Sequence, residues 1–311
     1  MIANENISVT GAGGYIGSSL SNYLAKKGYK IVKISNKNIK SSVKYNLKLE
    51  SSWRKILKNS DHIVHLSAAT SLYDCEKNSL KTQKANVLPI KKLINAAKKM
   101  SSKPHVIYAS TATIYGSVKV FPVNEKRKLN PSSEYDFQKL ICENLLKKAA
   151  RDGVLRSTIL RFSNIYGPSL SRGNSADRGI LNKVIKSAIG GNDIEIFGSG
   201  NYIRDYIYID DVLTAIESCL NFQNKSYEVF NVGTQKLNTL KKVFKSVKKF
   251  VYKTTNKTIN INYVPWPLDA HKIEKRNYVS DISKIKSELG WKPLIDIDSG
   301  IKKTINFFLK I

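Results

Sequence analysis

Short apolar runs alternate with longer stretches of helical period through the first half of the chain. "NISVT" (6–10), "KIVKI" (30–34), "DHIVHLSA" (61–68), "HVIYAS" (105–110) and "RSTILRF" (156–162) have the length and the β-branched content of buried strands. Between them the apolar spacing predicts a helix through "SSLSNYLAKKG" (18–28), a long amphipathic helix from about Ser79 to Met100, and another from about Ser132 to Ala150. Strands alternating with helices mean βαβ units, so the fold class is α/β with a doubly wound parallel sheet. After Gly167-Pro168 the regularity stops. "SRGNSADRG", "GGND" and "GSGN" read as loops before a last pair of apolar runs and a C-terminal helix. The expectation is a sheet-forming unit over 1–166 and a smaller one, mainly 167–311, built on it without a flexible linker.

A chain of 311 residues, 41% hydrophobic, is long enough to bury a core and too apolar to be disordered. No apolar run approaches the length of a bilayer span, and "MIANENISVT" lacks the basic and apolar regions of a signal peptide, so no membrane insertion and a cytoplasmic location are expected. Cys75, Cys142 and Cys219 are odd in number and far apart; they suit neither a disulfide framework nor a metal site, and no metal is expected. The formal charge of +28 comes mostly from lysines, many in pairs along helices. Without an arginine-rich block or a basic-aromatic motif this reads as solvated faces, and no specific nucleic-acid partner is expected. Such a field would still draw in a small molecule bearing a diphosphate.

"VTGAGGYIGSSL" sets Gly11, Gly14 and Gly17 three apart, directly after a strand and opening a helix. Glycines there permit a tight turn and let the backbone approach a pyrophosphate, whose charge meets the helix N-terminus. In that context the loop predicts dinucleotide binding. The second strand of such a unit ends in an acid when the ribose hydroxyls of NAD are bound; here Ser35, Asn36 and Lys37 follow it. NAD is the expected cofactor, with NADP left open by the absent carboxylate and by Lys37 as a counter-charge for a 2′-phosphate.

"SSEYDFQKL" places Tyr135 and Lys139 four apart on a predicted helix, hence on one face. A free phenol, with a pKa of about 10, is a weak base at neutral pH. An ammonium a few ångströms away favours the phenolate by about 3–4 kcal/mol at an effective dielectric of about 20. Tyr135 can then take a hydroxyl proton while hydride leaves the same carbon. Ligands of parallel sheets lie beyond the carboxyl ends of the strands, where "YASTATIYG" (108–116) puts Ser110 and Thr111. Thr111 is the candidate to bond a sugar oxygen. Ser110 is expected to face the cofactor and Thr113 to bond backbone.

With these residues in order, together with "DHIVHLSAATS", "NVLPIKKLINAA", "LRFSNIYGP", "GSGNYIRDYIYIDDV", "FNVGT" and "DISKIKSELGWKP", the chain resembles the extended short-chain dehydrogenase/reductase family, in its nucleotide-sugar epimerase/dehydratase branch. The resemblance implies a seven-stranded Rossmann domain over 1–166, a returning segment near 206–235 and a C-terminal substrate domain. It implies Thr111, Tyr135 and Lys139 as the catalytic trio, and Tyr15 and Ile16 at the pyrophosphate. Asn46, with Leu47 beside it, stands where an Asp usually meets the adenine; Leu66, Ala68 and Thr70 line the cofactor, and Asn86 supports its ribose. Asn164 and Arg204 match positions that hold the substrate's diphosphate and nucleoside, with His271 or Arg276 a substitute for an arginine missing before "DIS". A nucleotide-diphosphate sugar is the implied substrate and a homodimer the implied assembly. Members that dehydrate carry Asp-Glu after the catalytic Thr; Ala112 and Thr113 stand there instead, which favours a 4-epimerase. The alternatives are an NAD(P)H-dependent reductase of a 4-keto-6-deoxy sugar and a non-catalytic Rossmann protein that senses nucleotide or binds RNA.

Overall fold

The computed structural model describes residues 5–36, 38–170, 179–222 and 225–310. The five predicted apolar runs are strands, and a short unpredicted one, β3, falls among them: β1 (Asn6–Thr10), β2 (Lys30–Ile34), β3 (Ser42–Val43), β4 (His62–His65), β5 (His105–Thr111) and β6 (Arg156–Phe162). A seventh strand, Tyr227–Val232, pairs in parallel with β6. From one edge the order is β3, β2, β1, β4, β5, β6 and Tyr227–Val232, with every pairing parallel. The parallel sheet is the one that the alternation predicts, and its seven strands match the Rossmann domain that the resemblance implies. The connection direction reverses between β1 and β4, which opens a crevice at their carboxyl ends.

Side chains alternate between the two faces because the strand period is two. Ile7, Val9, Val64, Ile107 and Leu160 join one core; Ile63, Val106, Tyr108 and Ile159 join the other. Helix α1 (Tyr15–Lys26) and the helix Ile209–Leu220 cover the first face. Helix α2 (Glu50–Lys58) contributes to the second, where Trp53 and Ile56 are buried. Short α3 (Leu72–Lys77) leads into α4 (Ser79–Asn86) and α5 (Leu88–Ala97). The single helix expected over 79–100 is therefore two. Pro89 has no amide proton for the carbonyl four residues back, and the break falls at Val87. Helix α6 (Glu134–Arg151) starts at its Ser133 cap, whose hydroxyl accepts from the Asp136 amide.

Outside the long sheet the described residues form three two-stranded pairs: Asn164–Tyr166 with Tyr206–Tyr208, Ile203–Arg204 with Asn238–Thr239, and Ile194–Phe197 with Ile261–Val264. The helices Ile180–Ile189, Leu240–Thr255 and Ile297–Phe308 bury Ile185, Val247 and Ile305 among them. These side chains belong to the same apolar cluster as β1, so the smaller region grows out of one face of the sheet. Asp210 and Asp211 lie in the first turn of the helix Ile209–Leu220, at the positive end of its dipole. Among the described residues no helix is long and apolar enough to cross a membrane.

Candidate active site

The turn after β1 is shaped for close backbone approach. Gly11 has φ +71, and a Cβ there would stand 2.8 Å from the Ser67 amide nitrogen. Gly14 donates to the Gly11 carbonyl at 2.8 Å and caps α1 without a side chain, and no acid occupies the first turn. The first amides of a helix have no intrahelical acceptor, so this end offers N–H groups and the positive end of a dipole. They border a cavity of about 290 Å³. Gly11, Gly14, Tyr15, Ile16 and Gly17 form its floor, with Gly13 between them. Ser35, Asn36 and Leu47 lie at the β2 side, and Leu66, Ala68 and Thr70 after β4. A glycine cradle, open amides and a lining without carboxylates suit a dinucleotide with its pyrophosphate over α1.

A second cavity of about 230 Å³ shares Tyr15, Ile16, Leu66, Ala68 and Thr70 with the first. Its far wall is made by Ser110, Thr111, Tyr135 and Lys139. The expected trio is thus brought to one wall, next to the dinucleotide groove. Lys139 donates to the Ala109 carbonyl at 2.7 Å, and its Nζ lies 4.6 Å from the Tyr108 ring centre and 5.7 Å from that of Tyr135. Burial pulls the Lys139 ammonium down to about 8, with Cys142 and Glu143 opposing. Its charge is therefore sensitive to pH near neutrality.

Thr111 terminates β5 and caps the short turn Ala112–Tyr115, accepting from the Thr113 amide at 3.2 Å. The hydroxyls of Thr111 and Thr113 are 2.8 Å apart, and Thr113 donates onward to the Asp136 carboxylate rather than to backbone. Ser110 borders the cavity, and its hydroxyl donates to Glu143 at 2.5 Å. Glu143 holds Arg161 through bonds of 3.1 and 2.6 Å, and Arg161 reaches the Tyr115 hydroxyl at 2.7 Å. This buried chain locks α6 to β5 and β6 directly beneath the trio.

Asn86 is buried and lines neither cavity. Its side chain accepts from the Ala69 amide at 2.7 Å and donates to the Ala69 carbonyl at 3.0 Å and to Gln138 at 2.7 Å. These bonds hold the loop after β4, whose Ala68 and Thr70 line the groove. Asn46 is also absent from the groove lining; its carboxamide closes a turn on the Lys48 amide at 3.1 Å. Tyr45, which sequence reading passed over, lines the groove beside Leu47. Lys37 lies outside the described residues.

Asn164, Arg204 and Arg276 meet beside the short strand pairs. Arg276 donates to Asn164 at 3.2 Å, while the Arg204 guanidinium donates to the carbonyls of Ile203, Glu274 and Arg276. No bond joins Arg204 to Asp205 or Asp210. Asp205 instead accepts from Thr234 and Ser280. Burial lowers Arg204 to about 10 and the adjacent Arg276 charge adds to this, so an anion brought here would relieve two crowded cations. His65 and His105, scattered in the sequence, are buried and held neutral by burial, at about 3.

The arrangement has counterparts. A UDP-glucose 4-epimerase of Thermotoga maritima, solved with UDP-glucose, superposes with a TM-score of 0.86 at 30% identity, covering 98% of this chain and 99% of its own. A putative UDP-glucose 4-epimerase of Methanocaldococcus jannaschii is 28% identical over 97% of both chains. A UDP-N-acetyl-alpha-D-glucosaminuronate decarboxylase of Bacillus cytotoxicus is 26% identical, again over 97% of both. Residues 7–233, from β1 through the last strand of the sheet, match the family model described as NAD dependent epimerase/dehydratase. The glycine turn and the tyrosine–lysine pair both lie within that matched span: the chain belongs to the NAD-dependent epimerase/dehydratase family.

Proposed function

We propose that the protein is a nucleotide-sugar 4-epimerase that works by transient oxidation at C4 with tightly bound NAD. The observation that carries this is the wall shared by Thr111, Tyr135 and Lys139, continuous with the glycine groove and free of carboxylates among the described lining residues. β-Elimination needs an acid and a base beyond the tyrosine, whereas epimerisation needs one proton acceptor and one hydride acceptor. NAD, when bound, supplies the second of these. Tyr135 takes the C4 hydroxyl proton, Lys139 keeps the phenolate paired with a charge, and Thr111 holds the sugar oxygen. The keto sugar turns over in the pocket and Tyr135 returns the proton. Asn164, Arg204 and Arg276, at the short strand pairs, hold the diphosphate; a guanidinium suits that anion through paired N–H donors. The UDP-sugar enzymes among the relatives make uridine diphosphate the first carrier to try. Epimers interconverting without added or consumed coenzyme would support the proposal; no interconversion of any UDP-, GDP-, CDP- or dTDP-hexose would defeat it.

A second reading, an NADPH-dependent reductase of a 4-keto sugar, draws on Ser35 and Asn36, which border the groove where an acid would repel a 2′-phosphate. Coenzyme oxidation seen only with a keto sugar would select it. For assembly we propose a homodimer, with Phe137 and Ile141, one turn apart on α6 and 48% and 41% exposed, in the contact between copies.

A further inference from the structure

Asp136 has no part in the proposed chemistry, yet it is fully buried next to Tyr135. As the third residue of α6 after a Ser133 cap, an acid here would ordinarily turn back to the cap amide. Its carboxylate instead accepts from Thr113, and its second oxygen has no hydrogen-bond partner. Thr113 stands 2.8 Å from Thr111, which opens on the cavity. A carboxylate that accepts from Thr113 commits that hydroxyl's proton to itself. The only proton left to bridge the two threonines is then that of Thr111, whose hydroxyl borders the cavity proposed to take the sugar. The chain has one polarity, and it ends on a base.

We infer that Asp136 is the terminus of a proton relay, Thr111 to Thr113 to Asp136, and a proton acceptor second to Tyr135. The inference rests on the reading of this cavity as a C4 oxidation site. The sugar O–H proton passes to Thr111 Oγ1, the Thr111 proton to Thr113 Oγ1, and the Thr113 proton to Asp136 Oδ1. Both threonines end as they began and the carboxylate becomes a carboxylic acid. The O–H electron pair becomes the second C–O bond as the C4–H pair leaves as hydride to the nicotinamide coenzyme. Return of the hydride reverses every transfer. Asp136 touches no substrate and acts through the threonines, so it is a positioning and relay residue.

The test uses the holoenzyme and single-turnover reduction of its bound coenzyme by a UDP-hexose. Tyr135→Phe should retain slow reduction. Adding Thr113→Val should lower that residual rate at least about tenfold further, while Thr113→Ser should restore it, because only the hydroxyl carries the proton. Infrared difference spectra on adding sugar should show a new protonated carboxyl band in the Tyr135→Phe enzyme, lost on adding Asp136→Asn. If that last variant does not fold, the Val–Ser pair carries the test. Equal residual rates for Val and Ser, or no carboxyl band, overturn the relay while leaving C4 oxidation standing. A wild-type enzyme whose coenzyme no sugar nucleotide reduces removes both.

Discussion

Tyr135 and Lys139 divide the work between proton and charge, and each predicts a different loss. Tyr135→Phe should cut turnover by about 10²–10⁴-fold, the range for a lost general base, while coenzyme affinity stays near that of the parent. Activity equal to the parent would remove Tyr135 from the mechanism. The pH profile belongs to Lys139. Its folded-state value is depressed to about 8 by burial, so the ammonium is present below that pH and lost above it. The rate should fall about tenfold per pH unit above 8, and a flat profile through pH 9.5 would show that no charge on Lys139 is used. The roles suggested for these two residues were legible in the sequence because helical spacing and strand-end position are local properties. Asp136 was not, although it adjoins Tyr135: which way its carboxylate turns depends on Thr113, brought from β5 by the fold. The partners of Asn46 and Ser110 were hidden for the same reason, since which group a side chain bonds is set by the fold and not by its place in the sequence.

At the level of elements, the site depends on how firmly α6 is pinned to the sheet. The Glu143–Arg161 pair is almost wholly buried, with side chains 2% and 5% exposed. Removing one partner leaves an uncompensated charge in the interior. Glu143→Ala should therefore destabilise the fold by about 3–5 kcal/mol, read from denaturant unfolding, and activity should fall with it as Ser110 and Lys139 lose their support. A loss under about 1 kcal/mol would mean that the pair is open to solvent. The turn after β1 makes the complementary prediction. Gly11→Ala forces a side chain into a positive-φ backbone and against the Ser67 amide, so dinucleotide affinity should fall sharply by calorimetry. Unchanged affinity would detach this turn from cofactor binding. Periodicity located the βαβ elements well, but not the division of the 79–100 helix. Pro89 was visible there all along, and a long apolar period outweighed one missing donor.

For the whole molecule, the sheet order and the cavity at its switch point follow from alternating elements and right-handed connections, which is why the fold class could be read without coordinates. The region beyond Tyr166 could not. Apart from Tyr227–Val232, which rejoins the main sheet, its described strands are two to four residues long, too short for a period to show, and its helices are recruited into the core begun by β1. The Asn164–Arg204–Arg276 cluster is likewise assembled from segments far apart in sequence. Assembly is testable separately: Phe137→Glu with Ile141→Glu should turn a dimer into a folded monomer by light scattering, and a monomeric parent would refute that contact. The account as a whole rests on reversible oxidation of a sugar carbinol at the Thr111–Tyr135–Lys139 wall. The most direct measurement is purified enzyme incubated with UDP-glucose and no added coenzyme, with the sugars resolved by chromatography. The account predicts approach to a mixture of C4 epimers from either side with no net change in coenzyme redox state. Turnover that consumes a stoichiometric amount of NADPH, releases carbon dioxide from a uronic acid, or yields no C4 epimer at all would contradict it.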